Sequence, residues 1–282
     1  MNKFVLLFVL SFSCSLLSCK KDEVATGEGT FTAQTLLNVS YGTDKQQIID
    51  IYLPKDRSIK NTKVIIFLHG GAWSDGDKLE YTLFLNYFSD HGFAVVNMNY
   101  RLAKDATDKF PTQMEDIRNV ISFILSKTSE YNISSKIGLS GHSAGAHLAL
   151  LYSYAYNQDK RVKAVAALAA PTDLTDVGIV KTTGTFTVEY FLGKTYQSAP
   201  DLWKDASPFW RVDAGSIPTI LFHGEADSSV PIVQSEKLNT KLESFGVPHQ
   251  LVNYPNANHI WLGADLSDTQ VKEANWFNLY LN

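Results

Sequence analysis

The chain has 282 residues, 45% of them hydrophobic and 19% charged, a composition that fills one substantial globular core and leaves little room for a second domain. Its net charge of -4 and pI near 6.0 supply no basic footprint, which excludes nucleic acid as a partner. Both cysteines, Cys14 and Cys19, fall in the N-terminal leader, so the folded body is denied a disulfide, a cysteine nucleophile and a thiolate metal site.

Lys3 is followed by an apolar run from Phe4 to Leu17, too short to span a bilayer and suited to the core of a signal peptide. Leu16-Leu17-Ser18-Cys19 resembles the lipobox of bacterial lipoproteins. That resemblance implies cleavage behind Ser18, lipidation of Cys19, and an exported protein anchored to the bacterial outer membrane or cell surface. Residues 1–18 thus read as a lipoprotein signal and 19–34, small, polar and Gly/Thr-rich, as the lipidated cysteine with its tether. Residues 35–282 form the expected folded domain.

Within that domain Gly42-Thr43-Asp44-Lys45 separates two strand-like runs, Leu36 to Tyr41 and Gln47 to Leu53, and predicts an antiparallel hairpin closed by Pro54. Lys63 to Leu68 and Phe93 to Asn97 are short, nearly all-apolar runs of the kind that lies inside a parallel sheet covered on both faces. From Pro111 to Ser126 apolar residues recur at helical spacing, with Pro111 at the start where a missing N–H costs little. Further strands are predicted at Lys136 to Ser140, Val162 to Ala169, Thr219 to His223 and Gln250 to Tyr254, with helices after Ser143, Pro231 and Ser267. A hairpin followed by βα repeats gives an α/β fold: a mostly parallel eight-stranded sheet with helices on both faces and binding groups at the strands' C-terminal ends. Residues 176–212 break the rhythm with mixed aromatic and polar residues, Pro200 and Pro208. They read as a cap-like insertion over the active-site edge, with a short helix near Val188 to Leu192.

Strand, tight turn and helix meet at Gly141-His142-Ser143-Ala144-Gly145, a G-x-S-x-G pattern whose small residues let a strained serine project above the sheet edge. A serine hydroxyl needs a histidine base, and the base needs a carboxylate to fix its tautomer. Of the seven histidines, His69, His91, His142, His147, His223 and His249 lie in positions that suit structural roles, whereas His259 follows the final predicted strand, where the base belongs. His223-Gly224-Glu225-Ala226-Asp227 offers two acids after the preceding strand, and Asp227, beyond the turn, is preferred to Glu225. The order Ser143, Asp227, His259 is that of α/β-hydrolases. Gly70, Gly71 and Ala72 follow the third strand and, with Ala144, are the candidate oxyanion-hole amides. Trp73 and His142 are candidate substrate-pocket residues, although burial and packing suit Trp73 equally well. The chemistry calls for no cofactor and no metal.

The motifs His69-Gly70-Gly71-Ala72-Trp73, Asn99-Tyr100-Arg101-Leu102, Phe110-Pro111, Gly141 to Gly145 and His223 to Pro231 resemble those of hormone-sensitive-lipase-like carboxylesterases. The likeness is closer to relatives that resemble feruloyl and acetyl-xylan esterases (the BD-FAE type) and arylformamidases. Ala72 replaces the third glycine of the lipase pattern, His142 stands where an aspartate is usual, and the long N-terminal helical cap is missing. The resemblance implies an α/β-hydrolase acting through an acyl-enzyme on a small-molecule or polysaccharide-linked ester. An arylformamidase or peptidase of the same fold is an alternative, and so, in a different class, is a surface binding protein without activity.

Overall fold

The run Val64–Leu68 is apolar and buried at every position, a pattern that requires a strand covered on both faces, and it lies in the middle of an eight-stranded sheet. The computed structural model describes Met1 and residues 31–104, 106–176, 178 and 184–282. The expected signal segment and Cys19 therefore lie outside the described residues, as do most of the tether and part of the insertion. In chain order the strands are β1 (Gln34–Ser40), β2 (Ile48–Leu53), β3 (Val64–Leu68), β4 (Ala94–Met98), β5 (Ile137–His142), β6 (Val162–Leu168), β7 (Thr219–Gly224) and β8 (His249–Tyr254). They are arranged β1-β2-β4-β3-β5-β6-β7-β8. The β1–β2 hairpin and the β2–β4 pair are antiparallel, and every later pairing is parallel.

The described helices are α1 (Thr82–Asp90), α2 (Thr112–Ser126), α3 (Thr128–Tyr131), α4 (Ala144–Leu151), α5 (Gly184–Leu192), α6 (Pro200–Asp205), α7 (Pro208–Arg211), α8 (Val233–Ser244) and α9 (Gly263–Tyr280). Strand alternation sends side chains to two separate apolar layers. Val64, Ile66 and Leu68 pack with α2, α4 and α8 on one face, whereas Ile65 and Phe67 pack with α1 and α9 on the other. From β3 the chain steps out to β4, then returns past β3 to β5. Connections therefore leave β3 and β5 in opposite directions and open a crevice beyond their C-terminal ends.

Helix α1 is capped by His91 ahead of Gly92 and buries Phe84, Leu85 and Phe88, with Leu83 exposed on its outer face. Two helical features differ from the sequence-based expectations. Helix α9 opens at Gly263 rather than after Ser267, whose hydroxyl instead donates back to the Gly263 carbonyl at 3.2 Å from inside the helix. In the insertion, Pro200 and Pro208 start α6 and α7, positions at which proline lacks only an N–H the helix does not need.

Candidate active site

Ser143 stands between β5 and α4 with φ 53° and ψ -120°, a region that a non-glycine residue occupies only under constraint. The constraint comes from both sides. Its N–H donates to the Leu168 carbonyl on β6 at 2.8 Å, and its own carbonyl accepts from the His147 N–H at 3.0 Å. Helix α4 then starts so close to β3 that a Cβ on Gly145 would run into the Leu68 carbonyl.

Strands β7 and β8 are neighbours, so the loops leaving their ends meet. The Ala226 N–H donates to the Ala257 carbonyl at 2.9 Å, and Asn258 Oδ1 accepts from the Ser228 and His259 amides at 3.2 and 2.8 Å. This lacing sets Asp227 Oδ2 2.7 Å from His259 Nδ1 and His259 Nε2 2.9 Å from Ser143 Oγ. A carboxylate can only accept, so the proton of a neutral His259 sits on Nδ1 and the Nε2 lone pair faces the serine hydroxyl. The Asp227 side chain is wholly buried while that of His259 remains 20% exposed, so the carboxylate is dry and the imidazole reaches solvent. Burial alone would raise the Asp227 pKa; hydrogen bonds from His223, His259 and the Val230 amide outweigh it and hold the carboxyl well below the usual range. Glu225, the alternative acid, is an exposed turn residue whose N–H donates to the Tyr254 carbonyl at 2.9 Å.

Gly71, Ala72 and Trp73 all take positive φ, 115°, 51° and 61°, so the loop after β3 coils tightly beside the elbow. The Gly70 amide is spent on Tyr81 Oη at 3.3 Å, which removes it from the expected set of oxyanion donors. The amides of Gly71, Ala72 and Ala144 meet no acceptor among the described residues. Trp73 and His142 both spend their polar groups within the protein. Trp73 is 4% exposed, donates through Nε1 to His147 Nδ1 at 3.0 Å and stacks on Phe191 of α5, with ring centroids 4.6 Å apart. Both ring nitrogens of His142 are occupied, one by Tyr81 and one by the His259 carbonyl. Neither side chain offers a free polar group to a substrate.

Several supporting residues carry no local sequence signal. His147 accepts from Trp73 and donates through Nε2 to the Ala206 carbonyl at 2.7 Å, joining the loop after β3, α4 and the end of α6. His223 donates through Nε2 to the Val230 carbonyl at 2.8 Å, and that nitrogen also lies 3.3 Å from Asp227 Oδ2. In the Asn99-Tyr100-Arg101 motif, the Tyr100 hydroxyl donates to the His69 carbonyl at 2.9 Å and Asn99 Nδ2 to Asp77 at 2.8 Å. The motif was visible in the sequence; its task, bracing the loop after β3, required the tertiary contacts. Among the described residues no group of three or more His, Cys, Asp or Glu side chains could hold a metal ion.

A mostly parallel sheet in this strand order, with serine, acid and histidine after its fifth, seventh and eighth strands, defines the α/β-hydrolase class. Residues 49–242 match the BD-FAE family model, and the chain belongs to that family. It is 27% identical over 248 residues to esterase LipC of Mycobacterium tuberculosis, covering 82% of this chain and 60% of LipC. Over 137 residues it is 36% identical to kynurenine formamidase of Salmo salar, covering 47% of this chain and 44% of that protein. A solved structure described as a truncated carbohydrate esterase from gut microbiota superposes with a TM-score of 0.77 at 24% identity, covering 88% of this chain and 98% of its own. The chain thus spans less than two thirds of each of these curated relatives and nearly the whole of that structural neighbour.

Proposed function

We propose that the protein is a serine carboxylic-ester hydrolase that works through an acyl-enzyme. The observation that carries the reading is the single imidazole of His259 bridging Ser143 Oγ and a buried, ionised Asp227. In the proposed reaction His259 Nε2 takes the hydroxyl proton as Ser143 Oγ attacks the ester carbonyl, and Asp227 stabilises the imidazolium. Amides of Gly71, Ala72 and Ala144 receive the oxyanion, the imidazolium returns its proton to the departing alcohol, and water repeats the sequence to release the acid. Similarity to LipC supports an ester as the substrate. The family, together with the feruloyl- and acetyl-xylan-esterase resemblance, supports acetyl or feruloyl groups on polysaccharide as the acyl class. Formamide hydrolysis is a second reading, favoured by the 36% identity to the kynurenine formamidase.

Turnover of short-chain nitrophenyl esters tests the reaction class, and parallel assays on acetylated xylan, methyl ferulate and N-formylkynurenine test the acyl and leaving groups. Ester turnover with release from xylan or ferulate is the expected result. Preference for N-formylkynurenine would select the second reading, and inactivity on every substrate would contradict both.

A further inference from the structure

The residue ahead of the nucleophile reaches the base from a second direction. His142 ends β5 and is 7% exposed; its Nε2 lies 2.8 Å from the carbonyl oxygen of His259 and its Nδ1 2.9 Å from Tyr81 Oη. A carbonyl oxygen can only accept, so Nε2 carries the proton, Nδ1 is an acceptor, and the Tyr81 hydroxyl donates to it. The hydroxyl oxygen in turn accepts the Gly70 N–H at 3.3 Å. One directed chain therefore runs from the oxyanion loop through Tyr81 and His142 to the main chain of His259. A Cβ on Gly70 would come within 3.1 Å of both His142 Nδ1 and Tyr81 Oη, so a side chain there would crowd the pair.

The two side chains of the chain are each held by their surroundings. Tyr81 closes a 3-10 turn, Lys78–Tyr81, whose start is capped by Asp77 while Glu80 reaches back to the Asp77 amide. Lys78 runs inward from that turn to Asp50 at 2.7 Å and Asn38 at 3.0 Å. The His142 ring is also held neutral: desolvation, with the nearby rings of His259 and His223, lowers its pKa to about 4, and the His259 carbonyl and Asp227 offset only part of this.

We infer that His142 and Tyr81 are positioning residues for the reaction proposed above, on which this inference rests. The neutral His142 ring fastens the main chain of His259 to the nucleophile strand, so serine and base are registered by residues adjacent in sequence. Tyr81 carries the same register to the oxyanion loop.

The test compares full-chain variants by kcat and KM on a nitrophenyl ester, with kcat normalised to the serines titrated by a fluorophosphonate. Glutamine puts an amide nitrogen near the Nε2 position and keeps the bond to His259; asparagine puts an oxygen near Nδ1 and cannot reach that far. His142→Asn is expected to lower kcat per titrated site by about tenfold or more with KM within about twofold, and His142→Gln to restore most of it. Tyr81→Phe, which changes no volume of consequence, is expected to lower kcat per site by a smaller factor and stands in if the asparagine variant fails to fold. A merely structural role would lower the titratable fraction and leave kcat per site unchanged. Unchanged kcat per site in His142→Asn and Tyr81→Phe, or a glutamine variant as impaired as the asparagine one, overturns the inference. Wild-type protein with no titratable serine overturns the hydrolase reading instead, so the two failures are distinguishable.

Discussion

The carboxylate of Asp227 receives more hydrogen bonds than the orientation of one imidazole requires. Oδ1 takes the Ser229 and Val230 amides at 2.8 and 2.9 Å, and Oδ2 takes His259 Nδ1 with His223 Nε2 beyond it at 3.3 Å. Three hydrogen bonds to a wholly buried carboxylate, with the His223 Nε2–H group close by, keep it ionised, which is what the imidazolium of the proposed reaction needs from it. Asp227→Asn places an amide there that can donate to Nδ1, which favours the tautomer whose Nε2 proton faces Ser143 and cannot accept another. Steady-state kinetics should show kcat about 10⁴-fold lower with the fold retained. A loss smaller than about tenfold would contradict the role given to Asp227.

At the scale of elements, the site is a set of loops held by struts from outside it. The 3-10 turn bearing Tyr81 is moored by Lys78, whose side chain is 3% exposed and paired with a wholly buried Asp50 on β2. Lys78→Met strands that carboxylate, and chemical denaturation should show a loss of about 3–5 kcal/mol. Adding Asp50→Leu should recover much of it; equal stability of Lys78→Met and wild type would contradict the strut. Such struts explain what sequence reading could and could not reach. Strands β3 to β8, the hairpin and the positions of Ser143, Asp227 and His259 follow from apolar runs, turn chemistry and motif order, all local signals. The hydrogen bonds of the Gly70 amide, Trp73 and His142 were out of reach because their partners, Tyr81, His147 and the His259 carbonyl, lie 11, 74 and 117 residues away in sequence. Within residues 176–212 the helix ending at Leu192 was legible, but α6 and α7 were not, since their starts are marked by prolines that look like breaks.

At the scale of the whole molecule, the last helix closes the sheet with a carboxyl group inside it. Glu273 on α9 is fully buried in the layer opposite α2, α4 and α8, and burial pushes its pKa up from 4.5 to about 8. The group is therefore protonated in the folded chain at pH values where the unfolded chain has released the proton. Its contribution to stability is fully present below pH 4.5 and is lost progressively as pH rises toward about 8. Thermal melts should show Glu273→Gln losing less stability than wild type between those limits, and identical slopes would contradict a neutral buried carboxyl. The chemistry assigned to the molecule stands on one oxygen, Ser143 Oγ. Mass spectrometry of wild type and Ser143→Ala after treatment with a fluorophosphonate addresses it directly. The account predicts one adduct, on the peptide containing Ser143, that is absent from the variant together with ester turnover; an adduct of equal yield in the variant would contradict it.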